Sequence, residues 1–296
     1  MQRVMRDIRV PASIGNVGPG FDTLGLAVAL YLTVRVRRIA DDGRGQLVCR
    51  FISGAPSGQN RIEHAFHALR PMRSRRPSIT VDVRSDIPQR AGLGSSAAAT
   101  IAGLWLRELS DGRRSPEDLV RVACELEGHP DNAAAALFGG LTSSCVTDSG
   151  DVQVARWNWP RAWRVVVATP DMPLSTSASR RVLPKRIPLE DAVFNFQRVA
   201  RMLSAVRDRD PDGLSEALRD RSHQPYRQSL VPQLRGALEL QHPDLLGVCL
   251  GGAGPSVVAI ARRHAPAVAR KLGGLYRRGR VPCTVRVLSV HQGNNR

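Results

Sequence analysis

The stretch Pro88-Gln89-Arg90-Ala91-Gly92-Leu93-Gly94-Ser95-Ser96-Ala97-Ala98 decides how this chain is read. Gly92 and Gly94 lack a Cβ, so the backbone there is free to take positive φ and to approach a ligand closely. Ser95 and Ser96 then open an alanine-rich helix. In such an arrangement backbone N–H groups and the positive end of the helix converge on an anion. No Lys follows the glycines, so the segment is not G-x-x-x-x-G-K-[ST]. Phosphate would be neutralised here by a helix terminus, a metal ion and an arginine. The plain alternative is a helix start that binds nothing.

Composition narrows the setting. The chain has 296 residues, enough for two ordinary domains, and 42% hydrophobic with 23% charged residues suits a globular protein. Aromatic residues make up only 4%, so the cores are expected from Val, Leu, Ile and Ala. No apolar run reaches membrane-spanning length and no signal-peptide core follows the N-terminal Met, which predicts a cytoplasmic protein with no membrane partner. Cys49, Cys124, Cys145, Cys249 and Cys283 are scattered and form no C-x-x-C pair, which argues against a disulfide framework or a zinc site. The net charge of +17 raises nucleic acid as a partner. Its arginines are dispersed, however, and few aromatics are available to stack on bases, so a solvated basic surface is preferred and no nucleic-acid partner is expected.

Alternation predicts strands at Leu32, Val34 and Val36, at Ile79, Val81 and Val83, and at Cys283, Val285 and Val287, with a buried strand over Trp163 to Ala168. Ala192, Phe196, Val199, Leu203 and Val206 have helical spacing. Another helix is predicted from Ser115, with Pro116 at its first position and Asp118 in a capping box, to Gly128. Its apolar stripe is Leu119, Val122, Ala123 and Leu126. Interruptions at 148–161 suggest two α+β halves, divided as 1–155 and 156–296.

Three further segments carry polar groups or glycines. Pro11 to Gly25 is rich in Gly and Pro yet includes Asn16 and Asp22, either ligand-facing or bonded to their own turn. Glu125-Leu-Glu-Gly-His-Pro-Asp-Asn132 ends a helix in carboxylates and a histidine, and either Glu125 or Glu127 suits Mg²⁺. Leu250-Gly-Gly-Ala-Gly-Pro-Ser-Val257 reads as a hairpin connection that needs no ligand.

The three segments 11–25, 125–132 and 250–257 resemble in order and spacing the three motifs of the GHMP small-molecule kinases. The wording Asn-Val-Gly-Pro-Gly-Phe-Asp-Thr-Leu-Gly at 16–25 and Glu-Gly-His-Pro-Asp-Asn at 127–132 is similar to the homoserine kinase family in particular. Departures exist: Ser-Ile-Gly at 13–15 stands where Thr-Ser-Ala is common, and Gly251 where a serine is usual. The resemblance implies a two-domain α+β fold, an N-terminal domain like domain 2 of ribosomal protein S5 and a ferredoxin-like C-terminal domain. It also implies ATP and Mg²⁺. Pro88, Arg90, Ala91, Gly92, Leu93, Gly94, Ser95, Ser96 and Ala97 would surround the triphosphate, with Asn60 near the base and Arg61 following it where an apolar residue is usual. Ser96 and Glu125 would hold the metal, Glu125 being preferred because the family's metal-binding glutamate lies within the helix.

For the second substrate the resemblance points to Asn16, Asp22, His129, Asp131 and Asn132 around an amino acid and its hydroxyl, with Thr176, Arg180 and Arg227 at its carboxylate. A zwitterion calls for anions or carbonyls on one side and arginines on the other. Asp131 and Asn132 are the implied catalytic pair, Asp131 either accepting the hydroxyl proton or only orienting the substrate. The implied reaction is ATP-dependent phosphorylation of the L-homoserine hydroxyl to O-phospho-L-homoserine, in threonine biosynthesis, by a possible homodimer. The alternatives are a related kinase for mevalonate, shikimate or a sugar, of which an uncharged sugar would need neither Arg180 nor Arg227, and a basic nucleic-acid-binding protein.

Overall fold

A strand of 17 residues, Leu24–Ala40, organises the first half of the chain because its partners change along its length. The computed structural model describes residues 7–293. The first half runs β1 (Ile8–Gly15), β2 (Leu24–Ala40), β3 (Leu47–Ser53), α1 (Arg61–Ala68), β4 (Ser78–Ser85), α2 (Ser95–Asp111), α3 (Pro116–Glu127), α4 (Asp131–Phe138), β5 (Leu141–Val146) and β6 (Val152–Trp157). β1 lies antiparallel along one edge of β2, from Ile8 opposite Val34 to Gly15 opposite Gly25. The other edge pairs with β5 at Leu24–Leu26 and with β4 from Leu32 onward. β3 is parallel to β4 and joined to it through α1, and β6 closes the far side antiparallel to β5. The alternation decides which face is covered: Leu32, Val34, Val36, Ile79, Val81 and Val83 are buried, while Arg35, Arg37 and Arg84 stand in water.

The second half runs β7 (Arg164–Pro170), α5 (Thr176–Arg181), α6 (Leu189–Asp208), α7 (Pro211–Ala217), α8 (Gln224–Arg227), α9 (Leu234–Leu238), β8 (Leu245–Leu250), β9 (Val257–Ala261), α10 (Ala265–Arg278) and β10 (Cys283–Leu288). The sheet order is β10-β7-β9-β8 with all neighbours antiparallel, which is the 4-1-3-2 order of a ferredoxin-like domain. β7 is apolar and buried from Val165 to Ala168 because both its faces are covered there. Val165 and Val167 face a core shared with the first half, and Val166 and Ala168 face the side packed by Val268, Leu272 and Tyr276 of α10. The expected α+β fold in two halves is therefore present. The change of sheet falls at 158–163, since β6 continues to Trp157, so a division at 155/156 would cut a strand.

The helix and the strand expected around Phe196 and Val287 are present, but those two side chains are not covered. Phe196 of α6 is 69% exposed, and the buried face is Asn195, Met202, Ala205 and Val206. The helix is rotated because Asn195 serves as a polar anchor, donating from Nδ2 to the Pro19 carbonyl at 3.1 Å and to Asp220 Oδ1 at 2.7 Å. In β10, Val287 is exposed because that strand is an edge. The chain beyond β10 returns to the first half. Val290 bridges Val28, the Ala29 amide donates to the Ser289 carbonyl, and the His291 amide donates to the Ala27 carbonyl. This filling of the middle of the β2 edge ties the halves together and keeps the cleft between them in register.

Candidate active site

The loop between β4 and α2 is strained towards ligand binding. Arg90, Gly92 and Gly94 have φ of 52°, 73° and 65°. A Cβ on Gly92 would run into the Gly251 carbonyl, and one on Gly94 into Ser13 Oγ. The carbonyls of Arg90, Ala91 and Leu93 accept from the amides of Leu174 (3.2 Å), Ser256 (3.2 Å) and Ser13 (3.1 Å). In a trans peptide the N–H of the next residue points the opposite way, so tying Ala91 and Leu93 outward turns the Gly92 and Gly94 amides towards the cleft. Gly94, in the left-handed region, is the N-cap of α2 and no side chain caps that helix. Its first-turn amides are thus left for an anion. The hairpin connection 251–256 is more than a turn: it braces the phosphate loop and carries the Gly252 carbonyl into the cleft.

A cleft of about 410 Å³ opens from this loop. It is lined by Asn16, Asp22, Asn60, Arg90, Ala91, Gly92, Leu93, Gly94, Ser95, Ser96, Ala97, His129, Asp131, Asn132, Thr176, Arg180 and Arg227, so nearly every residue expected at the site converges. Pro88 stands outside the lining. Asn60 lines the cleft, but its Oδ1 caps α1, accepting from the amides of Ile62 at 3.2 Å and Glu63 at 3.4 Å. Its Nδ2 also reaches Glu63, at 3.4 Å.

Glu125 is the main correction. Its side chain is 58% exposed on the far face of α3 and is paired with Arg121 at 2.6 Å. Glu127 turns inward instead, its Oε1 accepting from Ser96 Oγ at 2.8 Å and Thr100 Oγ1 at 2.7 Å. The helical period explains this. Glu127 lies four residues after Ala123 and eight after Leu119, on the buried stripe, whereas Glu125 follows Arg121 on the opposite side. The helix itself starts at the Ser115 cap and stops at Gly128, as its signals require. A carboxylate and a hydroxyl at the start of the phosphate helix are the hard oxygen donors that Mg²⁺ takes, so the residues present fit that ion.

The opposite end of the cleft is built from charged side chains. His129 Nδ1 lies 2.6 Å from Asp131 Oδ1, and Asp131 is 2% exposed. Burial alone would depress the His129 pKa, but the hydrogen bond and charge of Asp131, with Asp22 behind it, outweigh burial and raise it. Asn132 Oδ1 accepts from Ser13 Oγ at 3.0 Å. Asn16, with φ of 69°, donates from Nδ2 to the Gly252 carbonyl at 2.8 Å and accepts from the Asp22 amide at 3.0 Å. Arg180 Nη2 donates to Asp22 Oδ1 at 2.6 Å. Arg227 is 1% exposed, and burial together with the Arg180 charge lowers its pKa to about 10. Ligand atoms of Asp22, His129 and Asp131 lie within 4.8 Å of one another. Asp22 is already paired with Arg180 and Asp131 with His129, so this end suits an ammonium and a hydroxyl better than a second metal ion.

Sequence reading missed Ser13, Thr100 and, in the turn that leads to Arg227, Asp220 and His223. Thr100 has a signal in its i+4 spacing from Ser96, and His223 in its i+4 spacing from Arg227. Ser13 has none.

Residues 60–140 match the family described as GHMP kinases N terminal domain, and residues 202–278 match GHMP kinases C terminal. Fold, cleft and sequence thus define a two-domain GHMP-type kinase. A homoserine kinase from Moorella thermoacetica is 38% identical over 295 residues, covering 95% of this chain and 96% of that protein. One from Solibacter usitatus is 37% identical over 276 residues, covering 91% and 90%. The crystal structure of homoserine kinase from Cytophaga hutchinsonii superposes with a TM-score of 0.83 at 23% identity, covering 99% of this chain and 97% of that one. This chain belongs to the homoserine kinase family.

Proposed function

We infer that this chain transfers the γ-phosphoryl group of ATP to the side-chain hydroxyl of L-homoserine, giving O-phospho-L-homoserine for threonine biosynthesis. The observation that carries this reading is the pairing of ends in one cleft. The loop Gly92 to Ser96 and the charged side chains Asp22, Asp131, Arg180 and Arg227 line the same cleft. In this reading Arg227, with Arg180, holds the substrate carboxylate, and Asp22 with Asn16 receives its ammonium. Asn132 and Asp131 address the hydroxyl. Relatives named homoserine kinase across more than nine-tenths of the chain support the same substrate.

Phosphoryl transfer through a loose transition state needs positioning and charge stabilisation more than covalent chemistry. The loop amides and the start of α2 orient the phosphates. Ser96 and Glu127 would hold Mg²⁺, which when bound neutralises charge on the phosphate oxygens. Asp131 is braced by His129 and accepts the hydroxyl hydrogen bond and, as the new O–P bond forms, the proton. Among the described residues no helix is long and apolar enough to cross a membrane, and the reading places the enzyme in the cytoplasm, with ATP.

The test is ADP release measured against homoserine, mevalonate, shikimate and galactose. Homoserine is expected to give the highest kcat/KM. A higher value for any of the other three, or no ADP release with homoserine, overturns the reading.

A further inference from the structure

Arg227 reaches the cleft from the turn Asp220 to Arg227, and His223 of that turn contacts both Arg227 and the opposite wall. The guanidinium donates from Nε to the Ser179 carbonyl at 3.3 Å and from Nη1 to the Gly252 carbonyl at 3.3 Å. Nη1 also lies 3.1 Å from His223 Nδ1. A guanidinium has donors only, so Nδ1 must be the acceptor and carries no proton. The imidazole proton therefore sits on Nε2, which lies 2.7 Å from the Gly18 carbonyl and donates to it. His223 is fully buried, between a donor it must accept from and an acceptor it must donate to, and only one uncharged tautomer satisfies both.

The turn around it is held just as firmly. Asp220 accepts from the amides of Ser222 (2.9 Å), His223 (3.1 Å) and Gln224 (2.7 Å) and from Asn195 Nδ2 (2.7 Å). Asn195 in turn bonds the Pro19 carbonyl, next to Gly18. Gly18 packs so closely on the end of α7 that an added Cβ would meet the Leu218 carbonyl at 2.7 Å. Gly18 belongs to the loop that carries Asn16 and Asp22, so the His223 ring is the rigid spacer between that loop and Arg227.

We propose that His223 is a positioning residue: its uncharged imidazole, bridging Arg227 and the Gly18 carbonyl, sets the distance between the guanidinium that takes a substrate carboxylate and the Asn16–Asp22 loop that takes its ammonium, and so selects an α-amino acid over an amino alcohol. The proposal rests on the reading above that Arg227 binds a carboxylate. Its rival is that His223 only fills space beside Phe21, whose ring centroid is 5.4 Å away.

The experiment compares homoserine with 3-aminopropan-1-ol, which has the same hydroxyl and ammonium and lacks the carboxylate, in wild type, H223L, H223Q, H223N, R227A and H223L/R227A. A misplacement on the ångström scale is worth roughly 10- to 100-fold. H223L is expected to lower kcat/KM for homoserine by roughly that factor, mainly through KM, and to leave the KM for ATP and the kcat/KM for 3-aminopropan-1-ol within about twofold. H223Q, which offers both an acceptor and a donor, is expected to recover most of the selectivity. In the R227A background H223L is expected to add no further loss. Should H223L not fold, H223N, which keeps the acceptor near Arg227 and drops the donor to Gly18, is expected to fall between wild type and R227A in selectivity. Equal losses for both substrates, the same loss of homoserine selectivity in the R227A background, or wild-type selectivity in H223N overturns the proposal. If wild type and R227A discriminate equally poorly between the two substrates, the carboxylate reading of Arg227 fails instead.

Discussion

The two ends of the cleft are made of different material. At the phosphate end the groups presented are chiefly backbone amides, set by glycines whose missing Cβ atoms leave room for the Gly251 carbonyl and Ser13 Oγ. At the amino-acid end they are charged side chains from distant segments: Asp22 after β1, His129 and Asp131 around the start of α4, Arg180 on α5 and Arg227 on α8. Amide sites are specified locally by one short run of residues, whereas side-chain sites have to be assembled by the fold. The first kind tolerates side-chain change except at its glycines, and the second does not.

Substitutions can break that contrast or sharpen it. The largest effect is expected at Asp131. Asp131→Asn keeps the shape and removes the proton acceptor, so kcat for ADP release is expected to fall by about 10²-fold or more. A change confined to the homoserine KM would reduce Asp131 to an orienting role. Next comes the junction between the two ends. Glu127→Gln is expected to lower kcat/KM on the order of 10²-fold, with a higher Mg²⁺ requirement in a titration, because a charged oxygen donor is lost. Glu125→Gln, on the solvent face, is expected to behave as wild type, and the reverse pattern would restore Glu125 as the metal residue.

Effects on KM, at most as large as that of Glu127→Gln, separate the two arginines. Arg227→Ala is expected to raise the homoserine KM roughly 100-fold, because a buried, hydrogen-bonded cation is removed. For Arg180→Ala, whose side chain is 38% exposed and already paired with Asp22, about 10-fold is expected. Steady-state kinetics with homoserine varied at saturating ATP checks both, and equal effects would contradict the burial argument.

The smallest effect is in stability. The raised His129 pKa means that its pairing with Asp131 contributes fully below the ordinary imidazole value of 6.5 and is lost as pH rises through the raised value. The difference in Tm between wild type and His129→Gln is expected to shrink by roughly 2 °C across that window. A difference that grows with pH would show that the pair is not charged.

Legibility followed the same division. The glycine loop, the Ser115 cap with the Gly128 stop, and the alternating strands Leu32 to Val36 and Ile79 to Val83 were all readable, because each depends on neighbours a few residues apart. The preference for Glu125 over Glu127 went astray although the helical period was available: Leu119, Ala123 and Glu127 share a face that Glu125 does not. The helical spacing that includes Phe196 marked a real helix but not its covered side, because apolar spacing shows that a stripe exists and does not say whether anything covers it.

By itself the sequence determined where the chain turns, caps and exposes amides, and through its motifs which family it joins. These are local properties, dictated by Cβ sterics, hydrogen-bond donors and the period of a helix or strand. Only the tertiary structure decided which carboxylate meets Ser96, that the tail beyond β10 fills the β2 edge, and that His223 spans Gly18 and Arg227. Apart from the four-residue step between His223 and Arg227, those contacts join residues tens to hundreds of positions apart, and their partners are selected by the packing of two sheets on one shared core.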